Sequence, residues 1–143
     1  MNREYPPRPI VGIGVVVLRP GYVLAVRRGR PPGLGSWSLP GGAQKLGETA
    51  EQAARRELRE ETGLEVGPLL LAGQVDSITR DPDGRVRYHY TIIDFAAAWT
   101  GGMALPGGDA TAIKWINNKI INEFLTWTEA QRIVSIARSL IKC

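Results

Sequence analysis

Between Gly47 and Gly63 the chain carries a stretch that suits an α-helix and little else. Thr49 and Gln52 stand at capping-box spacing, the residues up to Thr62 are rich in Ala, Glu, Arg and Leu, and Gly63 is placed to end the helix in a left-handed turn. The flanking sequence has the opposite character. Ile10 to Leu18 is a β-branched run, Arg19-Pro20-Gly21 is turn chemistry, and Tyr22 to Val26 is a second run, which together predict a hairpin. Arg27 to Gly35, with Pro31, Pro32 and three glycines, predicts a loop, and Trp37 to Leu39 a short strand ended by Pro40-Gly41-Gly42. Beyond the helix, strands over about Leu69 to Thr79 and Val86 to Trp99 flank the turn Asp81-Pro82-Asp83-Gly84, and Thr111 to Ile116 predicts another strand. A second helix is expected from Thr128, with Gln131 again at capping-box spacing. It would bury Ile133, Val134, Ile136, Ala137, Leu140 and Ile141 at helical spacing. Strands, helix, strands and helix predict an α/β fold with a mixed sheet between helices, since the hairpins force antiparallel pairs.

A chain of 143 residues, 43% hydrophobic and 22% charged, is expected to form a single domain over residues 1–143, and collagen-like, disordered and coiled-coil classes are excluded. The single cysteine, Cys143, cannot make an internal disulfide or a cysteine-rich zinc site, which fits a reducing compartment. Met1 to Pro9 lacks the apolar run of a signal peptide and no later run approaches a bilayer span, so the expected localisation is cytoplasmic, with no membrane partner. The net charge of +4 is unevenly spread. Arg3, Arg8, Arg19, Arg27, Arg28 and Arg30 precede residue 35, whereas Glu48, Glu51, Glu57, Glu60, Glu61 and Glu65 crowd residues 48 to 65. A basic cluster followed by an acidic one suits a phosphate ligand held with a divalent cation better than a nucleic-acid backbone.

Within the first helix, Glu57, Glu60 and Glu61 stand at i, i+3 and i+4, within an arc of about 100°. Carboxylates that close raise one another's pKa unless a cation neutralises them, and an oxygen-only cluster is what Mg²⁺ or Mn²⁺ prefers. A solvent-facing helix laced with Glu51–Arg55 and Arg56–Glu60 pairs would use the same residues.

The longer pattern distinguishes the two. Gly42 is followed after five residues by Glu48, after seven more by Arg56-Glu57-Leu58, and then by Glu60-Glu61, Gly63 and Leu64. With seven fixed positions at about one in fifteen and two aliphatic ones at about one in three, a chance match is on the order of 10⁻⁷. This stretch, residues 42–64, resembles without departure the signature of the Nudix hydrolases, and Trp37 to Gly42 leading into it is also similar to the small MutT-like and ADP-ribose pyrophosphatase-like members. The resemblance implies an α/β/α sandwich that uses divalent cations to hydrolyse a nucleoside diphosphate linked to another group. Carried over by position, Glu57, Glu60 and Glu61 would bind Mg²⁺ or Mn²⁺ with the Gly41 carbonyl. Arg56 would orient Glu57 through an ion pair, and Glu48 would support the loop and the outer shell of the metal.

The same resemblance places the general base, in many members, on a loop after the long hairpin. Asp109, in Gly107-Gly108-Asp109, is the candidate; it also reads as a plain turn residue, and Glu60 or Glu61 could serve instead. Arg27 is the candidate phosphate contact, because a planar guanidinium matches phosphate oxygens. Trp37 and Tyr22 could stack on a base, while His89 reads as a sheet residue. The expected partner is a small nucleotide, with ADP-ribose, a nucleotide sugar or a nucleoside triphosphate all open. The proline that marks many ADP-ribose enzymes about 15 residues past the signature is replaced here by Thr79. A non-hydrolytic nucleotide sensor usually lacks a signature glutamate, and none is missing; an RNA-end hydrolase is allowed by the basic N-terminal third; a homodimer is compatible with the sequence.

Overall fold

The computed structural model describes residues 3–142; Cys143 lies outside the described residues. Strands β1 (Ile10–Arg19), β2 (Tyr22–Arg28), β3 (Trp37–Ser38) and β4 (Gly41–Ala43) precede helix α1 (Ala50–Thr62). Strands β5 (Leu70–Arg80), β6 (Val86–Ala98) and β7 (Ala110–Asn117) follow, then α2 (Ile121–Phe124) and α3 (Thr128–Leu140). The sheet is mixed. β1 runs parallel to β6 from Ile10 beside Tyr90 to Leu18 beside Ala98, and β5 pairs antiparallel with β6. β1 is buried almost throughout, as its unbroken apolar run requires of a strand covered on both faces.

The β1–β2 hairpin closes only at its turn, where Leu18 and Arg19 pair with Val23 and Tyr22. Farther along, the two strands splay, and residues 37–43 enter the gap: β3 pairs with β2 and β4 pairs with β1. Val15 N–H bridges the gap by donating to the Pro40 carbonyl at 3.0 Å. Pro40-Gly41-Gly42 therefore does not simply end a strand, as the sequence predicts, but leads into β4. Glycine makes this possible, because a Cβ on Gly41 would overlap the Ile13 carbonyl oxygen.

Alternate residues of β1 feed two cores. Ile13, Val15 and Val17 pack with Ala53, Ala54 and Leu58 of α1, while Val16 and Leu18 pack on the opposite face with Ile133, Val134 and Ala137 of α3. The helices thus lie on opposite faces of a mixed sheet, the α/β/α arrangement expected. Helix α1 starts at the predicted cap: Thr49 Oγ1 accepts from Gln52 N–H at 3.1 Å and Gln52 Oε1 accepts from Thr49 N–H at 2.9 Å. Helix α3 departs from expectation. Its N-cap is Trp127, Thr128 is already helical, and Gln131 Nε2 instead donates to the Leu125 carbonyl at 2.9 Å. Leu140, expected in the core, is exposed, and the single turn of α2 went unpredicted because four residues are too few to show a period.

Candidate active site

Helix α1 faces the sheet with Ala53, Ala54 and Leu58, and the same face continues into Glu61 and Thr62, both buried. The three carboxylates of the predicted stripe therefore meet different surroundings. Glu61 lies against β4, where its Oε1 accepts from the Gly41 N–H at 2.8 Å. Burial, with Glu57 beside it, pushes its carboxyl up from 4.5 to about 7, although the Gly41 N–H pulls the other way. Glu57 is mostly covered and lies against Gly42, where an added Cβ would collide with its carboxylate. Glu60 faces outward, its side chain 49% exposed.

Arg56 organises this end of the helix. Its Nη1 lies 2.8 Å from Glu57 Oε1 and 3.2 Å from Glu60 Oε2, its Nε and Nη2 donate to Glu48 at 2.6 and 2.9 Å, and Nη2 also reaches the Ala43 carbonyl at 3.0 Å. The guanidinium of Arg56 and the Lys45 N–H hold the Glu48 carboxyl down at about 2. The Glu51–Arg55 pair of the surface-helix alternative is not made; Arg55 donates to the Val66 and Gly67 carbonyls at 3.1 and 3.2 Å, tying the helix to the chain that follows it.

Asp109 reaches the carboxylates because its loop is stitched to the end of α1. Leu105 N–H donates to the Thr62 carbonyl and Gly107 N–H to the Glu61 carbonyl, each at 3.0 Å, so the loop satisfies two of the carbonyls a helix end leaves open. A Cβ on Gly107 would lie 2.5 Å from the Glu60 carbonyl oxygen. Asp109 Oδ2 pairs with Arg30 Nη1 at 3.3 Å, and its charge helps raise the Glu61 pKa.

Glu57, Glu60, Glu61 and Asp109 line a cavity of about 220 Å³. Among the described residues they do not form a finished cation cage, since Arg56 engages Glu57 and Glu60 while Gly41 N–H engages Glu61. The donor set nevertheless fits a hard divalent cation. Every acidic group on the cavity is an oxygen donor, and burial with like charge disfavours the ionised Glu61 that a cation would stabilise.

A larger cleft of about 370 Å³ adjoins Glu57, Glu61 and Asp109 and runs between the splayed strands toward the start of α3. Arg27 and Trp37 line it, Arg27 with its Nε donating to the Gly35 carbonyl at 3.1 Å and Trp37 edge-on to Phe124 at 6.0 Å. Tyr22 lies at the other end of β2 beneath Arg19, and His89 sits opposite Ile78 in the hairpin; neither lines the cleft. Three further residues line the cleft, two of them from the basic cluster of the N-terminal third and one, Asp94, with no part in the sequence-based expectation. Arg28 brings a positive charge that reaches Glu61, and Arg3 arrives on an N-terminal arm held by the Glu4–Arg87 ion pair at 2.6 Å and by Tyr5 Oη donating to Asp81 at 2.8 Å. Asp94 is a buried carboxyl in the otherwise apolar second half of β6. That lone acid among Ile92, Ile93, Phe95 and Ala96 was its signal.

The chain matches the NUDIX domain family over residues 8–135. It belongs to the Nudix hydrolases. This Nudix chain is 33% identical over 130 residues to the ADP-ribose pyrophosphatase of Methanocaldococcus jannaschii, a match covering 83% of this chain and 75% of that protein. It is 49% identical over 61 residues to the oxidized purine nucleoside triphosphate hydrolase of Danio rerio, covering 43% and 39% of the two chains. Among solved structures, it resembles the bifunctional NMN adenylyltransferase/ADP ribose pyrophosphatase of Francisella tularensis complexed with AMP and a manganese ion. That likeness has a TM-score of 0.67 and 25% identity, over 93% of this chain and 42% of that one. No helix among the described residues is long and apolar enough to cross a membrane.

Proposed function

We propose that this Nudix hydrolase is a divalent-cation-dependent pyrophosphohydrolase in which water attacks phosphorus of a nucleoside diphosphate linked to another group. The observation that carries the reading is the junction of two surfaces: the four-acid cavity opens on a cleft lined by Arg3, Arg27, Arg28 and Arg30. Glu57, Glu60, Glu61 and the Gly41 carbonyl would hold Mg²⁺ or Mn²⁺. When bound, the cation supplies positive charge that shields the pyrophosphate oxygens and acidifies the attacking water. Arg56 holds Glu57 in place, and the cleft arginines bind the phosphate oxygens as planar donors. Asp109 takes the proton of the attacking water at the carboxylate oxygen that Arg30 leaves free, and the bond between the two phosphates breaks toward the leaving phosphate. Trp37 offers a ring edge or face to the base.

ADP-ribose with related nucleoside diphosphate derivatives, and nucleoside triphosphates, stand side by side as substrate classes, because the ADP-ribose pyrophosphatase relative matches over 83% of this chain and a putative 8-oxo-dGTP diphosphatase 2 of Mycobacterium tuberculosis, 35% identical, over 92%. The cytoplasm, where such nucleotides are made and consumed, is the proposed setting. Purified protein incubated with Mg²⁺ or Mn²⁺ and a panel of ADP-ribose, nucleotide sugars, nucleoside triphosphates, dinucleoside polyphosphates and capped RNA should release AMP and ribose 5-phosphate from ADP-ribose, or a nucleoside monophosphate and pyrophosphate from a nucleoside triphosphate. Binding of these nucleotides without turnover of any would overturn the hydrolase reading in favour of a sensor, and turnover of capped RNA alone would move the chain to RNA ends.

A further inference from the structure

Asp94 is 5% exposed, and what remains open of it faces the cleft. Its space comes from β1. Gly14 lies directly beside Asp94 in the parallel pairing, and a Cβ there would overlap Asp94 Oδ1. Gly12, two residues back on the same face, leaves a bare floor against Tyr90 and Ile92. Among the described residues, no side chain or backbone N–H donates a hydrogen bond to Asp94, and Arg132 acts on it only through space. A buried carboxyl that lacks donors costs stability, so its retention beneath an open cleft calls for a ligand that supplies them. The surroundings narrow the ligand. Trp37, Tyr90 and Trp127 line the same cleft, and flat aromatic walls suit a flat ring better than a sugar. Gly41, Gly14 and Asp94 stand in a row across β4, β1 and β6, so Asp94 lies two strand spacings, about 10 Å, from the backbone that touches Glu61.

We propose that Asp94 determines base specificity by gripping the edge of an amino-substituted nucleobase, pairing with the exocyclic amine and the ring nitrogen beside it. A carboxylate accepts from both the amine and a ring N–H, as guanine offers on one edge, whereas adenine and cytosine offer the amine beside a bare ring nitrogen that only a protonated carboxyl could satisfy. Hypoxanthine and uracil offer a ring N–H without an adjoining amine, so the ionised carboxyl gains one bond from them in place of two; a protonated carboxyl would pair equally well with their N–H and carbonyl, so the discrimination belongs to the ionised state.

Because this deepens the nucleotide reading above, the test separates the two. Binding of AMP and GMP against IMP, and of CMP against UMP, is measured by calorimetry at about pH 8, above the value of about 6 to which burial raises Asp94; none of these contains an anhydride bond. At least one amino-bearing member should bind roughly 10- to 100-fold tighter than the member that lacks its amine, the scale of a two-point base contact. Asp94→Leu should reduce that preference to under about threefold while changing affinity for IMP and UMP little, with a melting temperature equal to or above that of the wild type. Asp94→Ala gives the same reading if leucine does not fit. No preference in the wild type, or equal weakening toward all five nucleotides in the variant, would overturn the role of Asp94. Nucleotide binding with the expected base preference but no turnover in the substrate panel would instead refute the hydrolase reading and leave Asp94 in place.

Discussion

Glu57, Glu60 and Glu61 are three equal positions on a helical wheel and three different groups in the folded protein. Glu61 is buried on a backbone N–H, Glu57 is clasped by Arg56, and Glu60 is half in solvent. Spacing along a helix identifies neighbours, but what covers each side chain depends on strands that come from elsewhere in the chain. Replacing Glu57 by Gln keeps its shape and removes its charge, so Glu57→Gln should lower kcat by roughly a hundredfold or more, the scale of losing one stabiliser of transition-state charge, with the fold retained. Near wild-type kcat at saturating Mg²⁺ would remove Glu57 from the metal site. Asp109→Asn should lower kcat roughly 10²- to 10⁴-fold with little change in KM, and partial recovery at raised pH is expected as hydroxide takes over the role of the base. A loss under about threefold would reduce Asp109 to a turn residue paired with Arg30.

Two stretches with the same Thr-x-x-Gln spacing behave differently as elements. Thr49 caps α1 reciprocally with Gln52, whereas Thr128 is inside α3 and its Gln131 reaches back to Leu125. The difference is visible in what precedes each: Gly47-Glu48 leaves α1 free to start on its own cap, while Leu125 is buried in the second core and fixes where α3 can begin. Thr49→Ala should therefore destabilise the protein by about 1 kcal/mol, and Thr128→Ala by well under half of that, read from denaturant midpoints. Equal losses would mean that both boxes form in solution. The second strand of the first hairpin carries a similar lesson. Arg27 and Arg28 are adjacent in sequence and alternate across β2, and it is the charge of Arg28 that reaches Glu61.

Across the whole molecule, the buried acids set how stability responds to pH. An acid whose pKa rises on folding holds its proton in the folded chain after the unfolded chain has lost it, so stability falls as pH climbs between the two values. That window runs from 4.5 to about 7 for Glu61 and from 3.8 to about 6 for Asp94, both raised chiefly by burial. Glu48 acts in the opposite sense: Arg56 holds it at about 2, so its contribution is complete above 4.5 and fades toward pH 2. The cation-free protein should melt highest near pH 4 to 5 and progressively lower toward pH 7, and a flat profile in chelator would contradict the burial of Glu61. Added Mg²⁺ or Mn²⁺ at pH 7 should raise the melting temperature by mass action, and much less in Glu61→Ala; equal shifts would place the cation elsewhere. The helix caps around α1 and the turns of both hairpins were legible in the sequence because each depends on residues within a few positions of one another, and the Gly42 to Leu64 pattern because it lies in one continuous stretch of fixed spacing. The sequence by itself thus determined the α/β class, the family and the three signature glutamates. The tertiary structure alone decided that β1 lies parallel to β6, that β3 and β4 wedge the first hairpin open, and that Asp94 sits beneath the cleft so formed. These depend on contacts between residues from 10 to 80 positions apart, where no local spacing signals the pairing, and the free energy of burying whole faces selects it.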